Sequence, residues 1–186
     1  MNNLIAFPHR VVQALARWSS LALLAASLLV PVATRAGNPT PNLFEPLVVE
    51  PSVDTFPLVA AGTAAPLWFD AADHKGVLRA VGDLQADIAR VTGLKPAASA
   101  QAPASGQPVI IGTAGKSAVI DALLAAGKLD GSKLVGKWES FVIATVADPA
   151  PGVARALVIA GSDKRGTIYG IYEISRQIGA SPWYWW

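Results

Sequence analysis

Four acidic side chains stand where a catalytic or binding role is conceivable: Asp70, Glu139, Asp163 and Glu173. Hydrolysis of a glycosidic bond needs two carboxyls held across it at a defined separation. Nothing in the spacing of these four pairs them, so the sequence displays no acid–base constellation of its own. Beyond residue 36 the chain keeps one histidine, His74, and it has no cysteine anywhere. That argues against a histidine-built metal site and against a compact Ser-His-Asp triad, unless His74 serves. Neither a metal nor an organic cofactor is expected. The stretch "GTAGKS", Gly112–Ser117, looks like a phosphate loop, but the glycine required five residues before Gly115 is Ile110. A strand-to-helix turn that uses Gly112 and Gly115 for backbone freedom is the simpler reading.

The most informative stretch is "IAGSDKRGTIYGIYEIS", Ile159–Ser175. A strand ends at Ala160, turns at Gly161 and opens a helix near Ser162 or Asp163. The first turn of that helix favours an acceptor or an anion. Lys164 and Arg165 add charge that could grip a carboxylate, or they form a solvated pair on the surface. Gly166 and Gly170 leave one helix face without side chains. Each costs about 1 kcal/mol in a helix, so close backbone approach to a strand or a neighbouring domain is the expected compensation. In "GKWESF", Gly136–Phe141, Glu139 stands between Trp138 and Phe141 at the expected start of a strand. Alternation would place Glu139, Phe141 and Ile143 on one face. A carboxylate there is paired, at the sheet rim, or functional, and Arg165 or Lys164 is its natural partner.

The elements that must position these residues are legible in outline. Phe56–Val59 and Pro66–Phe69 read as strands, with a hairpin between them as the expected pairing. Residues 74–92 form the clearest helix, with Val77, Leu78, Val81, Leu84, Ile88 and Val91 as its apolar stripe. Asp73 is the expected N-cap, Gly93 the C-cap, and Arg79 with Asp83 an i,i+4 pair. Residues 95–107 read as a low-complexity loop, Val109–Ile111 as a buried strand, and 116–126 as a helix. Residues 138–146 and 155–160 read as an antiparallel strand pair, followed by a helix over 163–178 with Ile168, Ile171, Tyr172, Ser175 and Ile178 as its stripe. The order ββ-α-β-α-ββ-α implies an α/β fold, a mixed sheet with helices packed on it as an α/β sandwich.

Residues 1–36 read as a signal peptide: Arg10 and Arg17, an apolar run from Leu21 to Val32, and a cut before Gly37. That run is short of the ~20 residues a membrane span needs. Export, to the periplasm or beyond, is therefore expected, with no membrane association after cleavage. Removing the segment takes three of the 15 Lys and Arg and none of the 13 Asp and Glu, leaving 12 against 13. The basic balance belongs to the leader, and no footprint for nucleic acid remains. Residues 37–55 read as a Pro-rich leader and 56–182 as one domain. The chain ends "SPWYWW", whose four rings would strand a large apolar area in water unless they pack against this chain or meet another surface.

"GSDKRGTIYGIYEISRQIGASPWYWW" closely resembles the end of the N-terminal domain of glycosyl hydrolase family 115, the xylan α-1,2-glucuronidases. "GKWESF", "VLRAVGDLQADIARVTG" and "VIIGT" match that family's domain in the same order, so the likeness runs from about Phe56 to Trp186. The resemblance implies an α/β domain that precedes a catalytic (β/α)-barrel, and removal of (4-O-methyl)glucuronic acid side chains from xylan with inversion. It implies that this polypeptide, which stops where a barrel would begin, carries no catalytic residue. It also implies that Glu139, Asp163, Lys164 and Arg165 face the sugar cleft, and that Trp183, Tyr184, Trp185 and Trp186 form the domain junction. The competing reading is a stand-alone carbohydrate-binding or interaction module.

Overall fold

A computed structural model describes residues 5–7, 55–104 and 106–180, all within one unit of the chain. The rest of the segment read as a signal peptide, nearly all of the Pro-rich leader, and the aromatic tail Trp183–Trp186 lie outside the described residues. The elements are β1 (Ile5–Phe7), β2 (Phe56–Ala60), β3 (Thr63–Ala64), β4 (Leu67–Phe69), α1 (Lys75–Thr92), β5 (Ala98–Ser99), β6 (Val109–Thr113), α2 (Ala118–Ala125), β7 (Phe141–Ala150), β8 (Val153–Gly161) and α3 (Lys164–Gln177). A single 3-10 turn, Gly131–Lys133, lies between α2 and β7.

The main sheet has the order β5-β4-β6-β8-β7. Its first four strands run parallel, and β7 returns antiparallel along β8. Strict alternation along the central strands divides the interior into two layers. Val109, Ile111, Leu157 and Ile159 face α1 and α3, where Val77, Leu84, Ile88, Ile171 and Ile174 are buried. Ile110, Val158 and Ala160 point the other way, onto Ile120 and Leu123 of α2. Helices thus cover both faces of a mixed sheet, the α/β sandwich the sequence pattern predicts. Among the described residues no helix is long and apolar enough to cross a membrane.

Several local expectations are corrected. The two apolar runs near residues 56 and 66 do not form one hairpin. Ala61 and Gly62 both take positive φ, 49° and 75°, and fold β2 onto the two-residue β3. β4 instead enters the main sheet, parallel to β6. β1, within the segment read as a signal peptide, pairs antiparallel with β2. The loop over 95–107 contributes the short edge strand β5. His74, not Asp73, is the N-cap of α1. Asp73 is drawn away because its carboxylate accepts from the backbone N–H of His74 (2.6 Å) and from that of Thr113 (2.8 Å). Asp83, read as the partner of Arg79, accepts from the Tyr172 hydroxyl at 2.8 Å. That bond, more than burial, pushes the Tyr172 phenol above its ordinary pKa.

α3 buries Ile171, Ser175 and Ile178 of the predicted stripe and packs Ile168 against the core, but it leaves Tyr172 out. Its inward face is Gly166, Thr167, Gly170, Ile171, Ile174 and Ser175, while Tyr172 is 45% exposed. The glycines are the contact. A Cβ on Gly170 would meet Ile159 Cγ2 at 2.8 Å, and one on Gly166 would overlap the Ser140 carbonyl oxygen. An apolar count overlooks this face, because what packs there is bare backbone.

Candidate functional site

The sequence singles out two segments, 136–141 and 162–165, and the fold joins them. β8 ends at Gly161, and α3 begins three residues later, at Lys164. β7 begins at Phe141 alongside, so the loop before it meets the turn after β8. Ser162 donates its N–H to the Ser140 carbonyl (2.8 Å), and its hydroxyl accepts from the Ser140 N–H (3.0 Å). Asp163 is the N-cap of α3, with Oδ1 accepting from the Gly166 N–H at 2.8 Å. Its other oxygen, Oδ2, accepts from the Glu139 N–H at 2.7 Å. These two backbone donors, Gly166 first and Glu139 second, hold the Asp163 carboxyl below its ordinary pKa. Asp163 therefore uses both oxygens to tie helix and loop together.

Glu139 does not lie on the strand face that alternation predicts. It precedes β7 and has φ 52°, a left-handed backbone in which the period-two rule fails. Its side chain turns back to Arg165, with Oε1 2.7 Å from a guanidinium nitrogen. Arg165 also donates to the Tyr169 hydroxyl at 2.8 Å, and its guanidinium carbon stands 5.8 Å from the centre of that ring. The Tyr169 bond, followed by the Glu139 charge, raises the Arg165 pKa. Lys164 leans its alkyl chain toward Gly76 of α1. The structure thus brings Glu139, Asp163 and Arg165 together and sends Lys164 the other way.

A buried polar chain stands behind this cluster. Thr113, at the end of β6, and Thr167, in the first turn of α3, are 2% and 0% exposed, and their hydroxyls meet at 2.7 Å. Thr167 Oγ1 also donates to the Asp163 carbonyl at 3.0 Å, and the Thr113 N–H is the one held by Asp73. Sequence reasoning missed these threonines. It also missed Trp138, which is 81% exposed beside Glu139. The signal for Trp138 is in "GKWESF": it stands three residues before β7 begins, in the loop, where strand alternation does not apply.

The remaining acids are committed elsewhere. Asp70 accepts from the N–H groups of Ala72 (2.9 Å) and Ala118 (3.1 Å), and Asp121 from that of Gly115 (2.7 Å). Two carboxylates thus fill the start of α2, where the apparent phosphate loop would need an anion. Glu173 pairs with Arg176 at 2.6 Å, which lowers its carboxyl pKa. Among the described residues no three His, Cys, Asp or Glu gather as metal ligands. An open depression of about 660 Å³ lies at the β7–β8 hairpin, lined by Lys128, Asp148 and residues 149–154. It is at the opposite end of β7 from Glu139, on the order of 30 Å along the strand.

Comparison with known proteins bears on this face. No family model and no curated protein matches the chain. Among solved structures, it is similar to BtGH115A, a family GH115 4-O-methyl-alpha-glucuronidase with specificity for decorated arabinogalactans. Identity is 32% over 67% of this chain, with a TM-score of 0.51. The chain spans 15% of that enzyme's length. CpGH84D aligns at 13% identity over 63% of this chain and 18% of its own, with a TM-score of 0.46. The first likeness supports a GH115-like relationship and a domain related to glycoside hydrolases.

Proposed function

We propose that residues 56–182 are a non-catalytic, N-terminal-type domain of an exported GH115-like α-glucuronidase that removes (4-O-methyl)glucuronic acid from xylan side chains. The observation that carries the reading is the 32% identity to a 4-O-methyl-alpha-glucuronidase over two thirds of this chain. The committed state of the acids supports the non-catalytic part. Asp70 and Asp163 hold backbone N–H groups, Glu173 holds Arg176, and Glu139 holds Arg165. Each of the four is engaged by an N–H group or a guanidinium, whereas a general acid must be free to reach the glycosidic oxygen.

In this reading the Glu139–Arg165 face lies toward the uronate, and Trp183–Trp186 lead into the catalytic part. Arg165, 57% exposed in its side chain, keeps charge at the surface for a carboxylate. An immunoblot with antibody against this domain, on cells that encode it, tests the reading. The expected species is exported and several times larger than 19.3 kDa. A single species near that mass, retained in the cytoplasm, overturns it. Release of uronic acid by the purified 186-residue chain, from glucuronoxylan or from decorated arabinogalactan, overturns the non-catalytic assignment.

A further inference from the structure

We propose that Trp138 is a sugar-stacking platform, whose exposed indole receives a neutral pyranose ring next to the uronate-bearing unit of the polysaccharide. The ligand class rests on the reading above; the site rests on the loop itself. An indole 81% exposed contributes almost nothing to the core, so the fold does not need it there.

The loop that carries it is nonetheless held tightly. The Trp138 carbonyl accepts from the Ser140 hydroxyl at 3.2 Å, and the next N–H, of Glu139, is held by Asp163 at 2.7 Å. Ser140 is bonded through both its N–H and its carbonyl to Ser162, and Gly166 lets that carbonyl sit against α3. Glu139 keeps φ 52°, which a non-glycine residue holds only when its surroundings enforce it. A side chain without a structural task, on a backbone fixed against relaxation, is preorganised for a ligand.

The surroundings select the ligand. Trp138 is flanked in the chain by Lys137 and Glu139, and Glu139 is closed at 2.7 Å on Arg165, which in turn bonds the Tyr169 hydroxyl. Charges this close to the aromatic do not suit the core of a protein interface, which is depleted of them. They do suit a pyranose, which presents one apolar face of C–H groups and a rim of hydroxyls. The indole takes the face, and the fixed donors and acceptors take the rim.

The test is calorimetric titration of the full chain with an aldouronic tetrasaccharide prepared from glucuronoxylan. Trp138→Ala is expected to weaken binding at least about tenfold. It should leave the melting temperature within about 2 °C, because so exposed a ring stabilises little. Trp138→Phe is expected to keep affinity within about threefold of wild type, since a flat ring remains. Equal affinity for Trp138→Ala and wild type overturns the proposal, as does a wild-type chain that does not bind. A small immunoblot species would overturn the enzyme reading but leave a Trp138-dependent affinity standing, so the two failures are distinct.

Discussion

Gly166→Ala is the substitution on which the packing argument can be most sharply tried. Alanine is favoured over glycine inside a helix by about 1 kcal/mol, so propensity alone predicts stabilisation. The structure predicts the reverse. The added methyl would overlap the Ser140 carbonyl oxygen, a backbone atom that cannot swing aside as a side chain can. The 136–141 loop must then lift from α3. Lifting breaks the two Ser140–Ser162 bonds, about 1 kcal/mol each, and the charge-assisted Glu139–Asp163 bond, about 1.5–3 kcal/mol. After the propensity gain, the net loss is about 2–4 kcal/mol. For a domain of this size that lowers the melting temperature by about 8–16 °C. Gly82→Ala is the matched control: it too lies within a helix, but its Cβ would meet nothing within 4 Å. It should gain about 0.5–1 kcal/mol. Thermal melts followed by circular dichroism decide the matter, with amide hydrogen exchange at Glu139 as a second readout. If both variants melt at or above wild type, the close approach of α3 to the loop is not what the glycine provides, and the argument fails.

Thr167→Val should cost about 1–3 kcal/mol in urea denaturation, because it leaves the buried Thr113 hydroxyl without its partner. The double variant with Thr113→Val should cost less than the two singles together; strict additivity would show that the hydroxyls do not interact. Asp163→Ala should cost about 1–2 kcal/mol at pH 7 through the lost cap. The Asp163 carboxyl titrates below its unfolded value, so its contribution is complete above about pH 4 and vanishes as pH falls through the lower folded value. Wild type should therefore lose stability more steeply than Asp163→Asn below about pH 4, and parallel curves would refute this. Glu139→Gln should move the melting temperature by less than about 2 °C, and by still less in 1 M NaCl, because its ion pair with Arg165 is largely in water. A larger, salt-independent drop would mean that the pair holds the loop.

Element types, the class of the fold and the residues that merit chemistry follow from the amino-acid pattern alone. Val109–Ile111 and the β8 run declare buried strands by their β-branched composition, and α1 declares itself by a stripe at helical spacing. Those signals survive without tertiary information because each reports only what lies on one side of its own element. The Glu139–Arg165 pairing was legible as one of two options, and the end of α3 beside Gly166 as a place of close contact. Tertiary structure alone decided that the run at residue 67 joins the main sheet, that Asp163 is a tie between helix and loop, and that Trp138 stands in water. It also decided that Glu139 leaves the strand at positive φ. These outcomes depend on bonds between residues 24, 40 and 54 positions apart, Glu139 to Asp163, Thr113 to Asp73 and Thr113 to Thr167. Periodicity records which face of an element meets apolar neighbours; it holds no record of which distant polar group will arrive to meet a given N–H.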